Sequence, residues 1–174
     1  MKIKHIICFL ALLFTACATD PVAYLSPGSG PQTTWRIFVG NEHWYRGTQS
    51  RTRNSHLLEF VPEGQTVENW KEIITDAFIP GHFSTTTDFV RANLSDLRTV
   101  VDGFQSTIIS DTGNEALYEW WHPDSGKWPA EHQISRVKYY PNGMLTLSYA
   151  RKGPKMDDAT RTKWIERIST APLR

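Results

Sequence analysis

Apolar and polar residues alternate along several short segments of this chain, as they do in strands with one buried face. The alternating segments are TWRIFVG (34–40), EHWYRG (42–47), HLLEFVP (56–62), FQSTIIS (104–110), ALYEWWH (116–122), HQISRVKYY (132–140) and MLTLSYARK (144–152). The last two are joined through Asn142-Gly143, a dipeptide that favours a tight hairpin turn. The pattern predicts an antiparallel sheet whose later part is a three-stranded meander.

Three other segments have a helical period instead. They are TVENWKEIITDAF (66–78), TTTDFVRANLSDLRTVVDG (85–103) and MDDATRTKWIERIS (156–169). Their apolar stripes consist of Val67, Trp70, Ile74 and Phe78; of Val90, Leu94, Leu97 and Val101; and of Trp164, Ile165 and Ile168. Thr66 and Thr85 are the expected N-caps of the first two, and Asp88 completes a capping pattern with Thr85. The predicted order is strands, two helices, a three-stranded meander and a C-terminal helix, an α+β fold with an antiparallel sheet packed with helices.

The first residues form a leader rather than part of this fold. A short basic start, MKIKH, precedes the apolar run IICFLALLFTA, which is too short to span a membrane as a helix. The run ends in FTAC (14–17), which resembles the lipobox of bacterial lipoproteins. That resemblance implies that Cys17 is lipidated, that residues 1–16 are removed, and that Ala18 favours the outer membrane. The alternative is an ordinary signal peptide with a chance cysteine.

Composition supports a tethered domain. Residues 17–32 contain prolines and glycines without an apolar period, so we interpret them as a lipidated N-terminus and flexible tether. Residues 33–174 then form a single domain, which has no cysteine and therefore no disulfide. Because cleavage removes Lys2 and Lys4, the formal net charge of +1 becomes −1, which gives no electrostatic surface for nucleic acid.

A second resemblance is carried by EFVPEGQTVENWKEIIT (59–75), which is similar to small secreted bacterial proteins of unassigned function. The predicted order of elements also resembles the Mog1/PsbP-like fold. Domains of that kind are often non-catalytic binding or assembly modules, and the resemblance implies such a role here.

Motifs of common enzyme classes do not occur in the sequence. It contains neither the GxSxG elbow of serine hydrolases nor the HExxH pair of zinc proteases. The carboxylate pairs Glu115 with Glu119 and Asp157 with Asp158 fit structural positions on a strand and at a helix start. We therefore expect no enzyme activity and no cofactor.

The segment YEWWHPDSGKWPAEH (118–132) concentrates the remaining candidate chemistry at a hairpin connection. His122 and His132 are expected to lie close together across its neck, and with Asp124 and Glu131 they are weak candidates for a metal site. Trp120 and Trp121 point to opposite faces, so one of them belongs to the core. The other one and Trp128 are candidate anchors for a protein partner. Trp128 can instead fold back over the edge of the sheet.

These expectations favour an outer-membrane lipoprotein that faces the periplasm or the cell surface and binds other envelope proteins without catalysis, for example as an accessory subunit of a secretion system. One alternative is a binder of a small apolar or glycan ligand on an aromatic face of the sheet. The other is a hydrolase that uses the region of His122 and His132.

Overall fold

The computed structural model describes residues 44–52, 54–171 and 173, which form a seven-stranded antiparallel sheet with one helix on each face. The strands are β1 (Trp44–Arg51), β2 (His56–Pro62), β3 (Glu72–Pro80), β4 (Gln105–Asp111), β5 (Glu115–His122), β6 (Glu131–Tyr140) and β7 (Gly143–Lys152). The helices are α1 (Thr86–Val100) and α2 (Asp158–Thr170). The predicted α+β class with an antiparallel sheet is confirmed.

The strands lie in the order β1-β2-β3-β7-β6-β5-β4. Two hairpin-connected sets, β1 to β3 and β4 to β7, therefore meet where β7 pairs with β3. Helix α1 makes the connection between the sets and covers β4, β5 and part of β6, whereas α2 follows β7 and lies against β6 and β7. We call the two sides of the sheet the α1 face and the α2 face.

Each face has its own apolar core. On the α2 face, Trp164 stacks on Tyr149 with ring centroids 3.5 Å apart, and Trp44 meets both rings edge-on. Ile168 completes the contact of α2 with this cluster. On the α1 face, Phe89, Val90, Leu94 and Leu97 of the helix contact Ala116, Tyr118, Trp120 and Val137 of the sheet. Burial of these side chains is the main source of stability for the fold.

Both helices are capped at their N-terminal ends, by Thr85 as predicted and by Asp157, which the sequence placed in the first turn. The side chain of Thr85 accepts a hydrogen bond from the backbone N–H of Asp88 at 3.1 Å, and Asp157 accepts one from Thr160 at 2.9 Å. Each bond satisfies one of the backbone donors that a helix leaves unpaired at its start.

The helix predicted over residues 66–78 is wrong. The chain makes turns through residues 63–69 and then enters β3, the strand between β2 and β7. Ile73 and Ile74 are both fully buried because they point to opposite faces, each of which is covered. Trp70 is buried as expected, but it precedes the strand and packs on Val61, Ile73 and Ala150.

Several predicted features lie outside the described residues, namely the leader, Cys17, the tether and the strand over residues 34–40. Within the part of the chain that is described, no helix combines the length and apolar character needed to cross a bilayer.

Candidate functional site

The two histidines of the β5–β6 hairpin lie on opposite faces of the sheet. His122 is opposite Glu131 in the strand register, whereas His132 is opposite Trp121. Because successive side chains of a strand alternate in direction, His122 points to the α1 face and His132 to the α2 face. The predicted approach of the two imidazoles is therefore wrong. Across residues 44–52 and 54–171, no group of three or more histidine, cysteine or acidic residues could hold a metal ion.

On the α2 face, His132 belongs to a closed hydrogen-bond network. Its Nδ1 accepts from the backbone N–H of Met156 at 3.0 Å, so the proton is on Nε2, which donates to Glu119 Oε2 at 3.2 Å. Arg161 donates to both oxygens of Glu119 at 2.7 and 2.9 Å. This bidentate contact ties α2 to β5.

The pKa values on this face follow from that network. Burial alone would raise the pKa of Glu119, but the hydrogen bonds and charge of Arg161, assisted by His132, hold it below its usual range. Burial lowers the pKa of His132, and Glu119 only partly opposes this effect. The pair therefore consists of an ionised carboxylate and a neutral imidazole near neutral pH, which is a structural arrangement.

On the α1 face, three titratable residues form one row across neighbouring strands: His122, Glu131 and Lys152. His122 Nδ1 lies 2.8 Å from the carbonyl oxygen of Pro123, which can only accept, so Nδ1 carries the proton. The other ring nitrogen is Nε2. That atom is buried and has no hydrogen-bond partner among the described residues.

Glu131 and Lys152 have strongly altered environments. Glu131 is 3% exposed, and burial raises its pKa to about 8 although the charge of Lys152 opposes the rise. Burial also lowers the pKa of Lys152, whose ammonium lies 4.2 Å from the centroid of the Trp70 ring. The Glu131 carboxyl is therefore protonated at neutral pH, because burial outweighs the opposing charge of Lys152.

The tryptophans of the hairpin have different surroundings. Trp120 is the core member of the pair, 3% exposed and stacked beside His122, so it is no longer a candidate for partner contact. Trp121 is half-buried beneath the ammonium of Lys155, 3.8 Å from its ring centroid. Trp128 is also half-buried, and its indole N–H donates to the carbonyl of Val100 at 3.2 Å. The β5–β6 loop therefore folds back onto the end of α1.

The half-exposed tryptophans at this end of the sheet lie on its two sides, Trp121 on the α2 face beside His132 and Trp128 against the end of α1. Together with the lysines over their rings, they form what we call the aromatic rim. It consists of Trp121, Lys155, Trp128 and Lys127. The Lys127 ammonium lies 5.3 Å from the ring centroid of Trp128, so each tryptophan of the rim carries a lysine over its face.

The opposite end of the sheet has a cavity of about 570 Å³ that sequence reasoning missed. Its lining residues are Arg51, Thr52, Asn54, Ser55, His56, Phe78, Pro80, Gly81, His82 and Asn142. Behind this lining, His56 Nε2 is hydrogen-bonded to Asp76 Oδ1 at 3.2 Å. The only local signal was a histidine that follows the polar segment RTRNS.

Comparison with known proteins gives a family without an assigned function. No curated protein matches the chain. A family model matches residues 36–173, which is most of the chain and includes every strand and helix described above. The chain therefore belongs to that family, a bacterial protein family of unknown function.

Proposed function

We propose that this protein is a non-catalytic binding module of the bacterial envelope, anchored to the outer membrane by lipid and exposed to the periplasm. It binds a partner protein through the aromatic rim. The observation that carries the proposal is the pair of half-exposed tryptophans, Trp121 and Trp128, each held under a lysine ammonium at one end of the sheet.

The rim has the chemistry of a protein contact. Tryptophan is enriched among residues that dominate binding energy, and a ring already fixed by neighbours loses little entropy when it docks. Trp128 is fixed by its hydrogen bond to Val100, and Trp121 by an edge contact with His132. The ammonium groups of Lys127 and Lys155 favour a partner surface with acidic residues.

The hairpin geometry supports a binding role over the hydrolase alternative. A histidine pair that acts on one substrate must reach one point, and His122 and His132 point to opposite faces. The buried His132 imidazole has both of its nitrogens engaged, one with Met156 and one with Glu119. A second partner for this imidazole would have to break the contact of α2 with the sheet.

The anchor is part of the same proposal. The family model begins at residue 36, beyond the FTAC segment and the tether, and this supports a leader, a linker and a domain as separate parts. The antiparallel sheet with helices on both faces also supports the proposed resemblance to Mog1/PsbP-like binding domains.

Cys17→Ser should release the protein from membranes or leave the precursor uncleaved, because several acyl chains hold far more strongly than one. Unchanged membrane partitioning and mature size would contradict the lipid anchor.

Site-specific crosslinking tests the rim. A photo-crosslinking amino acid at Lys127, an exposed member of the rim, should capture a discrete envelope protein in intact cells. The same amino acid at Glu63, an exposed position between β2 and β3, is the matched control. Trp121→Ala should abolish the product at position 127. Equal products at both positions, or no product at either, would exclude the rim as the contact surface.

A further inference from the structure

We propose that the cavity beside β2 and β3 binds a small carboxylate or phosphate ligand through Arg51, His56 and His82. This site is at the end of the sheet opposite the aromatic rim, so its occupant is distinct from the partner protein proposed above.

The composition of the lining favours an anion. Three of the ten lining residues are basic, namely Arg51, His56 and His82, and none is acidic. The remaining polar lining consists of hydroxyl and amide side chains, those of Thr52, Ser55, Asn54 and Asn142. A planar guanidinium can donate two parallel hydrogen bonds to a carboxylate or phosphate, and the amides and hydroxyls can donate to further oxygens.

His56 is oriented for such a role by Asp76. The carboxylate holds Nε2 at 3.2 Å, and Nδ1 has no hydrogen-bond partner among the described residues. The remaining ring nitrogen, Nδ1, can therefore accept a hydrogen bond from a ligand when the ring is neutral and donate one when the ring carries two protons. Asp76 is half-buried, and burial raises its pKa although the contact with His56 partly opposes the rise.

The walls of the cavity are fixed before a ligand arrives. Thr52 Oγ1 accepts from the backbone N–H groups of Asn54 and Ser55 at 3.3 and 3.0 Å, and it lies 2.6 Å from Ser55 Oγ. Across the cavity, the Gly81 N–H donates to the carbonyl of Asn142 at 3.1 Å. These bonds hold both sides of the cavity in place, which reduces the entropy lost on binding.

One wall is apolar. The Phe78 ring stacks beside the His56 ring with centroids 6.4 Å apart and an interplanar angle of 27°. A ligand with a flat or carbon-rich portion would therefore contact Phe78 while its anionic group meets the basic side chains.

Titration monitored by NMR tests the proposal on the mature chain. The probes are inorganic phosphate and benzoate, with benzamide as the uncharged counterpart of benzoate. At least one anion should give saturable chemical-shift changes confined to the cavity residues, and benzamide should bind more weakly. Arg51→Ala and His56→Gln should each weaken binding by roughly tenfold or more, as loss of a charge-assisted hydrogen bond requires.

Lys71→Ala is the control, because it removes an exposed positive charge outside the cavity lining and should leave the affinity unchanged. Arg51 is exposed, so its variant should fold normally and keep the test decisive. Three results would overturn the proposal: no saturable shifts with either anion, equal binding of benzamide and benzoate, or an equal loss of affinity in Lys71→Ala.

Discussion

Glu131 should make the stability of this protein fall as pH rises. Its side chain is 3% exposed, and burial raises its pKa from 4.5 to about 8 against the weaker opposing effect of Lys152. An acid whose pKa is higher in the folded state than in the unfolded state stabilises the fold fully below pH 4.5. That contribution is then lost progressively up to about pH 8, where the folded protein must also ionise the carboxyl.

The magnitude follows from the difference between these two pKa values. A rise from 4.5 to about 8, at about 1.4 kcal/mol for each pH unit, corresponds to about 5 kcal/mol of folding free energy. Rearrangement and water entry around the ionised carboxylate reduce this figure, so we expect a measured loss of about 2–5 kcal/mol. Glu131→Gln keeps a neutral side chain of the same size at every pH and should remove the loss.

Urea unfolding of the mature chain at about pH 5 and about pH 9 provides the measurement. Wild type and Glu131→Gln should have similar free energies of unfolding at the lower pH, and the variant should be the more stable at the higher pH. Glu63→Gln, at an exposed carboxylate, is the control and should follow wild type at both. If Glu131→Gln also follows wild type at about pH 9, the carboxyl is not protonated in the folded protein and the reasoning fails.

Four further substitutions test the packing. Arg161→Ala should cost about 3–5 kcal/mol in chemical denaturation because it leaves the Glu119 carboxylate buried without its guanidinium, and a cost below about 1 kcal/mol would contradict the network. Trp70→Ala and Trp164→Ala should each cost about 3–5 kcal/mol, so wild-type melting of either variant would show that its side chain is not core. Trp128→Phe keeps a ring but removes the donor to the end of α1, and should cost about 0.5–1.5 kcal/mol in the same assay. No change would mean that the loop does not hold this contact in solution.

Strands whose apolar and polar residues alternate in the sequence could be predicted from it. The strand predictions over 56–62, 104–110, 116–122, 132–140 and 144–152 agree with β2 and β4 to β7 within a residue or two. The Thr85 cap was also predicted, because a short polar side chain before an apolar stripe favours an N-cap, whereas Asp157 was placed in the first helical turn and is instead the N-cap.

Strand β3 could not be predicted in this way, because its buried residues also fit the spacing of a helix. Ile73, Ile74 and Ala77 of β3 are buried, and with Trp70 they give spacings of three and four that also fit a helical stripe. Periodicity cannot separate a strand buried on both sides from a helix. The β-branched run of Ile73, Ile74 and Thr75 was the local signal in favour of a strand.

Local sequence patterns could not predict the cavity, for a different reason. His56 and Asp76 are twenty residues apart in sequence and meet only because β2 pairs with β3. Asn142 joins them from the turn between β6 and β7. No motif spans these positions, so only the strand order brings their chemistry together.

The β5–β6 hairpin holds two carboxyl groups in chemically opposite environments. Glu119 and Glu131 are both buried, yet the pKa of Glu119 is lowered by Arg161 and that of Glu131 is raised by burial. The contribution of Glu119 is lost as pH falls through its lowered pKa, and that of Glu131 as pH rises toward 8. The free energy of unfolding should therefore pass through a maximum between these limits. Glu131→Gln should remove only the decrease in unfolding free energy at pH values above the maximum. If the same variant also loses the decrease at pH values below the maximum, the two faces are not independent.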